Sequence, residues 1–170
     1  MVSVNSLRFD NPEDIYGFRR GRKVLDAVKR VQPWLQARSP VTSADFTKAY
    51  NTVIRGKILQ LLRGRLQPED YQITSAILEH QSIKILDRQF RCQDGVPRGS
   101  TVAPVLFNHL MDALITKIKE KWPQNEVACY ADDICIKGRI KVNLFSEISE
   151  EFGLMIDTKK SYTLNYNQDH

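Results

Sequence analysis

Cysteine is scarce in this chain: there are three, Cys92, Cys129 and Cys135, an odd number without a Cys-x-x-Cys pair. That argues against a disulfide framework and against the spacing of a zinc or redox dithiol site, leaving reduced thiols. No apolar run approaches the roughly 18 residues that a membrane helix needs, and no charged-then-apolar targeting signal opens the chain. A soluble intracellular protein with no membrane partner is expected, with nuclear, cytoplasmic and organellar compartments all open. Internal repeats and low-complexity linkers are absent as well, so one continuous unit is expected.

What is present is ordinary globular composition. The 170 residues are 42% hydrophobic and 26% charged, enough for one domain with a proper core. Lys and Arg total 25 against 20 Asp and Glu, a net charge of +5, which makes polyanions plausible partners. The basic residues cluster at Arg19, Arg20, Arg22 and Lys23, at Lys29 and Arg30, and at Arg55, Lys57, Arg63 and Arg65. Each cluster reads as either a set of phosphate contacts or a solvated helix face.

Periodicity orders the chain. A turn at Asp10, Asn11 and Pro12 is followed by a glycine-bearing basic loop over 16–23, then by Val24, Leu25, Ala27, Val28, Val31, Trp34 and Leu35 at helical spacing. Residues 40–46 form a β-prone run ending at Asp45, a position that also suits a helix N-cap. Helices are expected over 53–66 and again from Pro68, and a strand or hairpin over 82–93. A loop dense in glycine and proline, 94–104, feeds a long helix over 105–119. On that helix His109 has no second ligand at helical spacing and reads as packed or solvent-facing. Helix 142–152 should stop at Gly153, followed by a turn and a final strand within 154–165, with Lys159 and Lys160 at its mouth.

The stretch 127–137 is apolar apart from two adjacent acids, Asp132 and Asp133. Burying a carboxylate without a partner costs several kcal/mol. The acids are therefore expected at the tip, 131–133, of a β-hairpin whose arms are 127–130 and 134–136. Two readings remain open for this stretch alone, a plain Asp-containing turn and a site of hard oxygen ligands suited to Mg²⁺ or Mn²⁺. The whole order predicts an α+β fold, a ferredoxin-like split βαβ with an antiparallel sheet and helices on one face.

Taken together, Asp45, the Gly95–Ser100 loop, Tyr130-Ala-Asp-Asp133 and Lys160 resemble, in order, the palm of reverse transcriptases, most closely the non-long-terminal-repeat retrotransposon type. Residues 44–53 are similar to the first palm motif, an Asp followed five positions later by the aromatic Tyr50. Residues 95–100 are similar to the second motif and 103–112 to the helix after it. Tyr130 to Asp133 matches the family tetrapeptide unaltered, 152–161 resembles the fourth motif, and 17–22 resembles the loop before the first. Two positions depart from the pattern: Arg98 stands where the family usually has Gln, and Asn51 where close relatives have Asp.

The resemblance implies an RNA-directed DNA polymerase that adds dNTPs to a DNA primer on an RNA template, using Mg²⁺ or Mn²⁺. In it Asp45, Asp132 and Asp133, with the backbone carbonyl of Phe46, hold the metal ions. Tyr50 stacks under the deoxyribose, Lys160 donates a proton to the leaving pyrophosphate, and Gly95, Pro97, Arg98, Gly99 and Ser100 form the surface for substrate. Arg19, Arg20 and Arg22 contact nucleic acid. Residues 1–40 correspond to a partial fingers segment and 41–170 to the palm without a thumb, so a further polypeptide supplying fingers and thumb is an expected partner. The alternative is a non-catalytic palm fragment serving as a structural or RNA-binding subunit of a larger ribonucleoprotein.

Overall fold

Strand alternation decides which side chains meet, and the first strand shows it. In the computed structural model, which describes residues 7–80, 82–91, 94–97 and 99–166, β1 spans Val41–Ala44. Successive side chains along it point to opposite faces. Ala44 enters the main core, while Val41 packs with Tyr16, Trp34 and Ala128 on the other face.

β1 is a central strand of a four-stranded antiparallel sheet. It pairs on one side with β5 (Asp133–Lys137) and on the other with β6 (Tyr162–Leu164), and β5 pairs with β4 (Val127–Tyr130). The spatial order is β4-β5-β1-β6. Numbered within this sheet alone, that order is 2-3-1-4, the split βαβ arrangement expected from the sequence. A separate two-stranded hairpin, β2 (Ser82–Ile85) and β3 (Arg88–Arg91), accounts for the predicted 82–93 segment.

The helices that complete the split βαβ lie on one face. α5 (Ala103–Lys121) is buried on most of its circumference, through Leu106, Phe107, Leu110, Met111, Leu114, Ile115 and Ile118. That is more than the single stripe its sequence suggests. α3 (Arg55–Leu62) and α6 (Val142–Glu150) pack against it, and each fully buried Leu, Ile or Phe in this cluster contributes about 1.5–3 kcal/mol. α6 closes with Leu154 N–H to Ser149 O and Gly153 N–H to Glu150 O, with Gly153 at φ +77°, the predicted helix stop.

Two local departures have tertiary causes. The helix expected over 53–66 starts late, as α3 at Arg55, and a separate short helix, α2 (Ala49–Thr52), precedes it, because Val53 and Ile54 are extended. Their backbone groups are taken by other segments: Val53 O accepts from Gly95 N–H and Ile54 N–H donates to Phe152 O. α3 then ends early, before Gly64 at φ +79°. α4 (Pro68–Glu79) starts at the predicted proline.

The helix expected after the basic loop forms, and the sequence did not show where it and the segment before it pack. α1 (Val24–Gln36) covers part of the sheet face opposite α5, with Trp34 buried, while Val24, Leu25 and Val28 remain exposed. Ahead of it, Ile15 forms a parallel bridge to Cys129 on the free edge of β4. Among the described residues no helix is long and apolar enough to cross a membrane.

Candidate active site

Register places the acids. Because Ala44 pairs with Ile134, the next residues out, Asp45 and Asp133, stand opposite each other at the open end of β1 and β5. Ile134 and Ile136 enter the main core and Cys135 packs on the α1 side. Alternation therefore puts Asp133, like Asp45, on the α1 side of the sheet. Asp133 pairs with Tyr130, so it is the first residue of β5 and the turn is Ala131 and Asp132 alone. The three-residue tip expected from the sequence is thus one residue shorter, and Ala131 takes φ +55° to close it.

Asp45 is held from the C-terminal side. Its carbonyl accepts from Asp157 N–H at 2.8 Å, its N–H donates to Ser161 Oγ at 3.1 Å, and its carboxylate pairs with Lys160 Nζ at 3.1 Å. It caps no helix, since α2 starts from Lys48. Thr47 N–H donates to Met155 O, so Phe46 and Ile156 form a non-hydrogen-bonded pair. In such a pair the Phe46 carbonyl points away from Ile156, toward the hairpin side. The Phe46 side chain is buried, tilted against Phe145.

The electrostatics follow from this crowding. Partial burial, then the neighbouring Asp132 and Asp45, push the Asp133 carboxyl above its ordinary range, against a lowering effect of Lys160. The hydrogen bond to Asp45 raises Lys160, which stays protonated. Burial pushes the Cys129 thiol up strongly, and Cys135 as well, so neither is a reactive thiolate.

A second group assembles beside this one. The Tyr50 ring stacks on Phe107, centroids 4.4 Å apart and 15° between planes, and Tyr50 O accepts from Val96 N–H. Gly95, at φ +80°, lies so close to α2 that a Cβ there would stand 2.6 Å from Tyr50 O and 2.7 Å from Asn51 O. Gly99, at φ +85°, faces open space instead. Pro97 O accepts from Ser100 N–H, and Ser100 Oγ accepts from Val102 N–H at the start of α5. Arg98 lies outside the described residues.

Arg55 holds this loop, and it is neither the phosphate contact nor the solvated residue that its sequence cluster suggests. It is buried, and its guanidinium donates to the carbonyls of Gly95 and Leu78, both at 2.6 Å, and of Asp94 at 3.0 Å. No periodicity signal marks a buried arginine of this kind. In the same cluster Arg65 pairs with Asp10.

The basic loop is divided. Arg19 donates to the carbonyls of Pro12 and Ile15 and lies over the Phe9 ring. Burial, then Arg22, lowers its pKa. With Arg8 and the exposed Arg20 it borders a cavity of about 850 Å³ whose wall includes Phe18, Val105 and Asn108. Arg22 shares the Pro12 carbonyl with Arg19, at 3.4 Å, and lies over the Tyr16 ring. His109 is packed, stacked on Phe9 at 4.5 Å. Asp112, an acid within the apolar run of α5, is 1% exposed and accepts from the N–H groups of Asp10 and Asn11. An acid in such a run was the one available signal for this anchor.

Among the described residues, no three His, Cys, Asp or Glu side chains are arranged to hold a metal ion. The donor set still has the chemistry of a hard-cation site: carboxylates, an outward carbonyl, and like-charge repulsion on Asp133 that a cation relieves. In this arrangement the Lys160 ammonium is the cation on Asp45.

Comparison with known proteins gives a consistent result. A family model described as reverse transcriptase (RNA-dependent DNA polymerase) matches residues 3–167, and no curated protein matches. The chain is similar in fold to telomerase from Candida tropicalis in complex with a fragment of telomeric RNA, with TM-score 0.76 and 11% identity over 98% of this chain and 32% of that one. It is also similar to the Candida albicans telomerase, with TM-score 0.73 and 9% identity over 87% of this chain and 31% of that one. The chain therefore spans about a third of these telomerases. The family match does not extend to the retrotransposon subtype. Because the family model runs through every strand and helix described above, the chain belongs to the reverse transcriptase family.

Proposed function

We propose that this chain is the palm of an RNA-directed DNA polymerase, extending a DNA primer on an RNA template with dNTPs. The observation that carries the reading is the register that sets Asp45 opposite Asp133, with Asp132 in the adjoining turn and Lys160 on Asp45. Asp45, Asp132, Asp133 and the Phe46 carbonyl would hold Mg²⁺ or Mn²⁺. Bound there, divalent ions activate the primer hydroxyl and neutralise charge on the triphosphate.

The chain's own residues do the rest. Asp45 would hold an ion in place of its lysine partner, and Lys160, protonated, would give its proton to the leaving pyrophosphate. Tyr50, fixed by its stack on Phe107, sets a floor against which a deoxyribose packs and a 2′-hydroxyl does not. The backbone of Gly95, Pro97, Gly99 and Ser100, with Arg98, forms the face offered to the new base pair. Arg20, and Arg22 beyond it, meet phosphates, while Arg19 shapes their loop. Residues 1–40 serve as a partial fingers segment and 41–170 as the palm.

Primer extension on an RNA template with dNTPs and Mg²⁺ or Mn²⁺ tests the assignment. Asp132→Asn should lower extension at least 10²-fold, as expected for loss of a group that stabilises transition-state charge. Extension that survives Asp132→Asn unchanged removes the assignment. A second reading, a palm that binds nucleic acid without catalysis, is favoured by the lysine seated on Asp45. It predicts duplex binding by the wild-type chain with no extension under any metal.

A further inference from the structure

We propose that Gly17 and Asn108 are positioning residues that fix the turn between Tyr130 and Asp133, through a strap formed by residues 9–17. The inference rests on the reading of Asp132 and Asp133 as metal ligands. The turn cannot hold itself. It has two residues, one of them Ala131 at φ +55°, a conformation that costs an L residue roughly 1 kcal/mol and persists where the surroundings impose it.

The strap is what surrounds it. Residues 14–16 run along the free edge of β4, with Tyr16 N–H to Cys129 O at 2.8 Å and Cys129 N–H to Asp14 O at 2.7 Å. The next residue, Gly17, meets the turn itself. A Cβ there would lie inside the van der Waals distance of the Ala131 amide nitrogen, 3.2 Å from Ala131 Cα and 3.3 Å from the Tyr130 carbonyl carbon. Backbone rests on backbone, and only glycine allows that approach.

Gly17 is in turn held from the core. Asn108 Nδ2 donates to Gly17 O at 2.8 Å, and Asn108 is 1% exposed. Its Oδ1 makes no hydrogen bond among the described residues, so a polar group sits in the core at a cost for this single bond. Further back the strap is clamped to α5 independently. Asp112 accepts from Asp10 and Asn11, Asn11 Nδ2 donates to Thr116 Oγ1 at 2.8 Å, and Lys119 pairs with Asp14. α5, strap and hairpin tip therefore form one rigid path, and ligand placement tolerates only about 0.5 Å of slack.

The test compares Gly17→Ala and Asn108→Ala with Thr116→Val, which loosens the far clamp but not the turn. Three properties of the full chain are measured: hydrogen–deuterium exchange at residues 130–133, Mn²⁺ affinity from the EPR signal of free Mn²⁺, and kcat and KM for dNTP. The first two variants should speed exchange there and weaken Mn²⁺ binding by about tenfold or more each, with kcat reduced and KM for dNTP within about twofold. Thr116→Val should lower the melting temperature and leave all three unchanged. The proposal is overturned if folded Gly17→Ala and Asn108→Ala exchange and bind Mn²⁺ like wild type, or if Thr116→Val reproduces their effects. Should Gly17→Ala not fold, Asn108→Ala alone decides between these outcomes. A wild-type chain that neither binds Mn²⁺ nor extends a primer counts against the polymerase reading instead, and exchange at 130–133 then decides whether the strap holds the turn.

Discussion

Asp133 is where the site and the stability of the fold oppose each other. Its carboxyl is raised by burial and by two neighbouring acids, so the folded state holds a proton there more tightly than the unfolded chain does. The sign follows from linkage: the stabilisation is complete below the ordinary aspartate value near 4 and is lost as pH rises through the higher folded value. Asp133→Asn should therefore raise the melting temperature at about pH 7 and change it little at about pH 3. Mn²⁺ should raise the wild-type value at the higher pH alone. Thermal melts at both pH values, with and without metal, check the sign, and an Asn variant less stable at neutral pH would contradict it.

At the scale of the element, the start of the loop, Gly95 and Val96, is packed into the fold. Gly95 touches the backbone of α2, and Arg55 ties the loop to the end of α4. Gly95→Ala should cost about 2 kcal/mol from its positive φ and the clash with two carbonyls. Arg55→Met should cost about 2–3 kcal/mol by leaving buried carbonyls without their donor. Urea midpoints for the two variants measure this, while Gly99→Ala, with open space around it, should lose only the conformational part.

The contrast between those glycines shows what the sequence carried. Local chemistry was legible: the acids in an apolar run, the Pro at the α4 start, the glycine that stops α6, and the alternation that orders the sheet. What depended on distant partners was not. The break at Val53 and Ile54 exists because Gly95 and Phe152 claim their backbone groups, and Arg55 is buried because three carbonyls converge on it. Gly17 looks in the sequence like a loop residue suited to phosphate, and its contact is with Ala131. Arg98 and Cys92 fall outside the described residues.

At the scale of the whole molecule, the proposed binding to an RNA–DNA duplex should weaken steeply with salt, given the net charge of +5. Arg20→Ala should weaken it uniformly across sequences and reduce the slope of log K against log salt by about 1. Arg19→Ala should act mainly on stability, since its guanidinium is engaged with Pro12, Ile15 and Phe9. Titrations at three salt concentrations separate the two. A slope unchanged by Arg20→Ala would remove that residue from the nucleic-acid face.

The central position of β1 also sets a timetable for synthesis. Both of its hydrogen-bonding partners come late in the chain, with Thr42 meeting Thr163 across 121 residues. At the usual elongation rate of about 5–20 residues per second, β1 waits roughly 6–24 s on the ribosome before its last neighbour is made. Asp45 waits for the opposing hairpin through most of that interval, until Lys137 is made, and for Lys160 almost to its end. Nascent chains stalled before Lys160 should be digested readily by protease, and those stalled well beyond Leu164 should resist. The pairing of Asp45 with Asp133 thus waits on the hairpin, and the seating of Lys160 on Asp45 waits on the segment that leads into β6.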